Sequence, residues 1–426
     1  MNFDRLRQLL LEKALNGTLV PQLPNEPAVT LMASSPVEKN LSSIPQKWRW
    51  VRFGDVCNCL DGKRIPLKKQ DRAKLKKLYP YFGATGIIDQ VDQFIFDGHF
   101  LLIGEDGANL LSRSKDNAFI VDGKIWVNNH AHILEENGAC LLEYLSVVIN
   151  SMNLSSYVSG SAQPKLTQKN LLSIPVPLPP IDEQHRIVAR LNELLSVIKQ
   201  AENAYTDLQG LGKTLRERIL QKAMEGKLVP QLDEEPDVEQ IGEAPDEIPF
   251  GIPSKWRWVQ LSATGKIVGG GTPKTSNDEY WNGDIPWITP ADLGKLTSSS
   301  VSSGAKSITQ LGLDNSSAKL MPTGTVVYSS RAPIGYVAIA QNPLCTNQGC
   351  KSLVPDETLI TSDWGYWCLK ARTNDIISRA SGTTFKEISG KGVGETWIPL
   401  PPLTEQCRIV AKLNELLPLV DQMTAV

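Results

Sequence analysis

Duplication is the strongest constraint on what this chain can fold into. Residues 6–27 (LRQLLLEKALNGTLVPQLPNEP) return 209 positions later at 215–236 (LRERILQKAMEGKLVPQLDEEP), with 13 of 22 identical. Residues 177–195 (PLPPIDEQHRIVARLNELL) return at 399–417 (PLPPLTEQCRIVAKLNELL), with 15 of 19 identical. The segments between these repeats differ almost completely. A repeated frame with unlike filling is expected of a symmetric scaffold that carries two different modules.

Each half runs in the same order. An apolar helical spacing comes first (Leu6, Leu10, Ala14; Leu215, Ile219, Ala223) and ends at Gly17 or Gly226, the residue favoured just past a helix C-terminus. Leu-Val-Pro-Gln-Leu and a Pro-rich or acidic linker follow. Then comes Ile-Pro-x-Lys-Trp-Arg-Trp-Val, at Ile44–Val51 and Ile252–Val259. Alternation of Trp with Lys and Arg predicts a strand with the tryptophans in the core. The unlike fillings, rich in Gly, Ser, Asn and Thr, predict many short strands, among them Phe100–Ile103, Lys124–Val127 and Thr325–Tyr328. Short helices are expected near Leu141–Ile149 and Trp364–Lys370. Prolines then forbid helix and set an abrupt start, with Asp182 and Thr404 as expected N-caps.

The closing segments carry a heptad seam: Ile187, Leu191, Leu194, Ile198, Ala201, Tyr205 and Leu208 in one, Ile409, Leu413, Leu416, Val420 and Met423 in the other. The seam is expected to pair antiparallel with its own copy about an internal pseudo-two-fold axis. Gly210 and Gly212 are expected to kink or end the first helix. Because the chain opens with one repeat helix and stops just after the second seam, the design reads as cyclic, the N-terminal helix completing the scaffold. The expected fold is α+β: two mixed, strand-rich modules joined by two long antiparallel helices. Boundaries are placed at 1–43 (helix and linker), 44–180 (first module), 181–251 (helical spacer and linker), 252–402 (second module) and 403–426 (last helix).

Bulk properties narrow the classes. At 426 residues and 41% hydrophobic the chain has material for two or three cores. No apolar run approaches the ~18 residues of a membrane span, and the opening MNFDRLRQLL is not a secretory signal. Seven scattered cysteines without a Cys-x-x-Cys pair read as free thiols in a reducing cytosol. A net charge of −2 argues against a lone nucleic-acid binder. The charge is uneven, however. Residues 62–77 hold eight bases against one acid, and residues 232–253 hold eight acids and no base. The basic run suits a phosphate backbone or, more blandly, a solvated face.

Catalytic constellations are missing. Leu211-Gly212-Lys213-Thr214 lacks the preceding strand and first glycine of a phosphate-binding loop. No methyltransferase or nuclease motif occurs. His130 and His132 have no evident third ligand and read as hydrogen-bonded histidines; Gly104-Glu105-Asp106-Gly107 reads as a turn. Neither a catalytic nor a metal site is expected.

Together, frame and filling resemble the specificity subunit of type I restriction-modification enzymes. The marks are the duplicated Ile-Pro-x-Lys-Trp entry, the duplicated Pro-Leu-Pro-Pro-x-x-Glu-Gln-x-Arg-Ile-Val exit and the helical spacer. Inside the fillings, residues 79–86 (YPYFGATG), 125–132 (IWVNNHAH) and 159–165 (SGSAQPK) resemble one type of target-recognition domain. Residues 280–288 (YWNGDIPWI), 329–335 (SSRAPIG) and 381–386 (SGTTFK) resemble another. The resemblance implies a non-catalytic cytoplasmic protein that places two target-recognition domains on double-stranded DNA, each reading half of an asymmetric split sequence. It implies two methyltransferase subunits as partners and, with restriction subunits added, a nuclease. The chain itself is expected to bind no cofactor; the complex would use S-adenosylmethionine, ATP and Mg. The 28 residues from Asp182 to Gln209 would span about 42 Å as helix, comparable with half-sites about 34–36 Å apart. The rival readings are a stand-alone DNA-binding or architectural protein, an enzyme, and a coiled-coil scaffold without DNA.

Polar loop residues within these motifs and the basic run are the expected DNA contacts. In the first module they are Lys63, Arg64, Lys68, Lys69, Thr85, Asn129, His130, Gln163 and Lys165. In the second they are Lys274, Thr289, Ser330, Arg331, Thr383, Thr384 and Lys386. Lys and Arg suit phosphates or guanine edges, and Asn and Gln suit adenine.

Overall fold

The computed structural model describes residues 2–34, 37, 41–160, 163–382 and 386–425. Two compact units divide the chain, Met1–Thr206 and Asp207–Val426.

In the first unit, helix α1 (Phe3–Leu15) is capped by the Asn2 side chain, which accepts from the Arg5 N–H. It ends, as its sequence predicts, with Gly17 left-handed at φ +73°. Strand β1 (Arg49–Arg52) follows the linker, and then a curled six-stranded sheet. Its strands are β2 (Cys57–Cys59), β3 (Tyr79–Gly83), β4 (Gly86–Val91), β5 (Phe96–Gly104), β6 (Ala118–Val127) and β7 (Ala131–Glu136), in the order β2-β7-β5-β6-β3-β4. All neighbours are antiparallel except β3 with β6. Helix α2 (Leu142–Ser151) buries Leu142, Tyr144, Leu145, Val148 and Ile149 in the core beneath β5 and β6. Strand β8 (Pro175–Leu178) returns antiparallel to β1. A two-stranded ladder tolerates its prolines because one edge needs no donors.

Helix α3 (Ile181–Met224) is one unbroken helix of 44 residues, and the boundary between units falls within it. Two expectations are corrected here. Gly210 and Gly212 do not end the helix. A Cβ on Gly212 would lie 2.3 Å from Thr424 Cγ2, so this glycine permits a close helix–helix approach, whereas Gly210 faces open space. Asp182 is not the N-cap but lies in the first turn. The α1 helix packs along the first part of α3, with Phe3 edge-on to Tyr205 at 6.1 Å and Arg7 paired with Glu202.

The second unit repeats the frame and changes the filling. Strand β9 (Arg257–Gln260) leads to β10 (Gly265–Gly269), β11 (Trp281–Ile288), β12 (Ser300–Val301), β13 (Lys306–Ile308), β14 (Val326–Ser330), β15 (Ile334–Ala340), β16 (Cys345–Thr346) and β17 (Lys351–Pro355). These form a five-stranded sheet, β10-β17-β14-β15-β12, and a three-stranded one, β13-β11-β16. Helix α4 (Ser362–Arg379) runs longer than the apolar run suggested and packs on β14 and β15 through the core that holds Trp364, Leu369 and Ile376. Strand β18 (Trp397–Leu400) pairs with β9. Helix α5 (Leu403–Thr424) then lies antiparallel along the end of α3, where Gln209 donates to the Thr424 carbonyl at 2.5 Å and Arg216 pairs with Asp421. Pro402 occupies the N-cap position expected of Thr404, whose hydroxyl instead donates to Glu235 at 2.9 Å.

The duplication extends to individual hydrogen bonds. Trp48, 1% exposed, donates its indole N–H to Glu183 at 2.9 Å; Trp256, 2% exposed, does the same to Glu405 at 2.8 Å. Gln22 and Gln231 donate to the second oxygen of those carboxylates. Arg186 grips Glu26, and Arg408 grips Glu235, both at 2.7 Å. Lys47 and Lys255 each tie three linker carbonyls. Gln184 bridges the Leu141 N–H to the Pro179 carbonyl; Gln406 bridges Thr361 to Pro401. The repeated letters are therefore a polar clamp built around buried Glu26, Glu183 and Gln184 and their copies Glu235, Glu405 and Gln406, each with a partner, as burial away from water requires. Burial pushes Glu183 and Glu405 above the ordinary carboxylate value, although the Trp and Gln donors oppose it. Among the described residues no helix is long and apolar enough to cross a membrane.

Candidate nucleic-acid interface

In the first unit the sheet curls until the Ala84 carbonyl, in the β3–β4 turn, sits where a side chain on Gly104 would project. That curl gathers several predicted residues. The Glu105 N–H donates to the His130 carbonyl at 2.9 Å and the Leu166 N–H to the Glu105 carbonyl at 2.8 Å, so three segments are knitted at the end of β5. Thr85, Asn129, His130, Gln163 and Lys165 lie exposed around this knot. His130 Nδ1 is 2.7 Å from Asp106, and Lys165 is 3.1 Å from Glu105.

Arg64 is placed differently. Its side chain, 12% exposed, points inward to Glu105 at 2.7 Å, Asp61 at 3.2 Å and the Ala131 carbonyl at 2.6 Å. His132, fully buried, sits beside it with Nδ1 2.6 Å from Asp61 and Nε2 2.8 Å from the Leu166 carbonyl. Burial works against the charges of Asp61 and Glu105, but His132 and Arg64 hold Asp61, and Arg64 and Lys165 hold Glu105, below the ordinary carboxylate range. Both histidines are hydrogen-bonded, as read from the sequence. Gly104–Gly107 is more than a turn, because Glu105 is 8% exposed. Ligand atoms of Asp61, Glu105 and His132 lie within 4.8 Å of one another, the spacing of a metal cluster, yet Arg64 and Lys165 already balance the two carboxylates. Sequence reasoning missed this buried network. The available signal was Asp61, an acid three residues before Arg64 at the mouth of the basic run.

Lys63, Lys68 and Lys69 are exposed, as are Lys74 and Lys76 further along. None of the five has an ion pair among the described residues. Arg72 and Lys77, in contrast, clamp Asp89 of β4 at 2.9 and 2.8 Å and so fix the basic segment to the sheet edge.

In the second unit a loop unmarked in the sequence, Asn347-Gln348-Gly349, is the meeting point. The Ser330 amide and hydroxyl both donate to the Gly349 carbonyl, at 2.8 and 3.1 Å, and Ser330 is fully buried. It supports the loop from below. Thr289 caps the turn Pro290–Leu293 and bonds Asp292 at 2.6 Å. Arg331, half-buried, lies 3.8 Å from Glu387, and Lys386 beside it is exposed. Exposed Gln348 accepts from the Thr272 hydroxyl, which brings the segment preceding exposed Lys274 to the same loop. Thr383 and Thr384 lie outside the described residues.

A family model described as type I restriction modification DNA specificity domain matches residues 45–205 and 253–423. The chain belongs to that family. It is a type I restriction-modification specificity subunit with two target-recognition domains, and the family match falls once in each half of the duplicated frame. It is 40% identical over 165 residues to the MjaIX specificity subunit of Methanocaldococcus jannaschii, a match covering 38% of each chain. It is 26% identical over 393 residues to a putative type I restriction enzyme specificity subunit of Haemophilus influenzae, covering 91% of this chain and 92% of that one. Its fold is similar to a chain solved in work on complex assembly and conformational transition of the type I R-M system (TM-score 0.62, 22% identity, 90% of this chain and 94% of that chain). It is also similar to the HsdS subunit from Thermoanaerobacter tengcongensis (TM-score 0.54, 22% identity, 90% and 92%).

Proposed function

We propose that this specificity subunit reads an asymmetric, bipartite DNA target, one half with each target-recognition domain. The observation that carries the reading is the pair of equivalent clamps, Trp48–Glu183 and Trp256–Glu405, holding two unlike sheets. Identical mounts with different readers imply two different half-sites.

In this reading the chain does no chemistry itself. It positions two methyltransferase subunits, and the complex methylates adenine with S-adenosylmethionine. Restriction subunits add ATP- and Mg-dependent cleavage. The assembly works in the cytoplasm. The first domain contributes its exposed lysines to phosphates and the rim of Thr85, Asn129, His130, Gln163 and Lys165 to base edges. The second contributes Lys274, Arg331, Lys386 and the neighbouring Gln348. Arg64, Ser330 and Thr289 support these loops from within. The formal charge of −2 is tolerable because partner subunits share the DNA clamp.

The test is reconstitution. Purified alone, the chain should transfer no methyl groups; mixed with its cognate methyltransferase subunit it should direct methylation to one sequence. Tight site-specific binding by the chain alone, unchanged by that subunit, would favour a stand-alone DNA-binding protein.

A further inference from the structure

One feature of the first domain is not used by polar readout. Strand β4 lies at the edge of the six-stranded sheet, and its tip carries two consecutive exposed isoleucines, Ile87 at 62% and Ile88 at 51%. Register explains how both come to be outside. Tyr81 pairs with Asp89 and Phe82 with Ile87, so Ile88 is the extra residue of a β-bulge. A bulge breaks the inside–outside alternation and re-aims a side chain. The Ile88 side chain lies over Gly83, where a Cβ would meet it at 3.1 Å. Phe82, the cross-strand partner of Ile87, stays in the core. The β3–β4 hairpin thus ends in an apolar blade resting on a buried aromatic base.

Bare isoleucines on an edge strand invite aggregation unless something covers them. Charge indicates the cover. The same strand carries Asp89, clamped by Arg72 and Lys77, which fixes the lysine-rich segment alongside. Those two cations balance the Asp89 carboxylate, and Lys68, Lys69, Lys74 and Lys76 of the segment they anchor remain exposed. An apolar wedge flanked by phosphate-seeking cations fits a nucleic-acid duplex, in which such a wedge enters between base pairs and unstacks one step. An acidic or purely apolar protein surface would match only one of the two features.

We infer that Ile87 and Ile88 form a wedge that inserts into the half-site read by the first domain and adds specificity through the ease of unstacking one base step. The inference rests on the reading of this domain as a DNA reader and names how part of it reads.

The experiment uses the chain assembled with its methyltransferase subunits. After the target is mapped by methylation, 2-aminopurine is placed in turn at each step of that half-site, and cognate and non-cognate affinities are measured. The wild-type complex should raise 2-aminopurine fluorescence at one step. Ile87→Ser/Ile88→Ser should abolish the rise and weaken cognate binding about tenfold or more, the scale of one lost base contact, with non-cognate binding nearly unchanged. Unchanged fluorescence and cognate affinity in the double variant would overturn the wedge. So would loss of co-purification with the methyltransferase subunits while the DNA response persists, since a protein would then be the cover. Lys68→Ala/Lys69→Ala/Lys74→Ala tests the underlying reading separately. If it leaves the salt dependence of binding untouched, the first domain does not hold DNA on this face, and the wedge falls with it.

Discussion

The indole N–H of Trp48 points at the carboxylate of Glu183, 2.9 Å away and fully buried. The contact joins the entry of the first target-recognition domain to the first turn of the long helix. Its copy, Trp256 to Glu405, does the same in the second unit. Trp48→Phe or Trp256→Phe keeps most of the apolar volume but leaves a buried carboxylate short of one donor. Each should cost about 1–3 kcal/mol, and the two losses should be alike. Thermal unfolding of the two single variants is the check. A loss in one and none in the other would mean the clamps are not equivalent.

Two neighbouring helical glycines should respond with opposite signs. Gly210 faces open space, so Gly210→Ala should stabilise by up to about 1 kcal/mol through helix propensity. At Gly212 the new methyl meets Thr424, so Gly212→Ala should destabilise. Adding Thr424→Ser, which removes the opposing methyl, should restore most of the loss. A double-mutant cycle on unfolding midpoints reads the coupling.

Arg64 and the exposed lysines should separate stability from DNA binding. Arg64→Ala removes the cation that bridges Asp61 and Glu105, leaving His132 on one and Lys165 on the other, and should cost about 3 kcal/mol, the lower end of the range for breaking a buried ion pair. Lys68→Ala, Lys69→Ala and Lys74→Ala should leave unfolding unchanged. Each should lower the salt slope of DNA binding by about 0.9 if its side chain meets a phosphate. Unfolding curves and salt titrations of the same four variants test the division.

Acid and neutral pH should act oppositely on two sets of carboxyls. Glu183 and Glu405 are raised by burial, so the native state binds their protons more tightly than the unfolded chain does. Their stabilising share is fully present below the ordinary Glu value of 4.5 and is lost as pH rises through the raised native values. Asp61 and Glu105 are lowered despite burial, by His132 and Arg64 in one case and by Arg64 and Lys165 in the other. Their share is present above the ordinary values and is lost as pH falls through the lowered native ones. In unfolding midpoints against pH, Asp61→Asn should flatten the acid-side loss and Glu183→Gln the opposing slope.

The frame was legible because repetition marks it and because its elements follow local rules: glycine past a helix end, proline before a helix start, and tryptophan in the core at Trp48, Trp256 and Trp258, though Trp50 stays half-buried. Its polar clamp was not. Gln22 reaches Glu183 across 161 residues and Glu26 reaches Arg186 across 160, pairings that no local spacing encodes. The Gly212 reading failed for the same reason, since the helix that needs the space lies 212 positions away. In the candidate interface, motif and composition found the loops, but not which way a side chain points. Arg64 and Lys63 are adjacent in sequence; one turns into a buried acidic pair and the other stays in solvent. Gln348 went unmarked because Asn-Gln-Gly reads only as a turn.

The most direct test of two unlike readers in one repeated frame is a long-read map of methylated adenines in a host expressing this chain with its methyltransferase subunits. The account predicts one motif made of two different specified halves separated by unspecified bases. A continuous motif, or two halves that are inverted copies of each other, would contradict it.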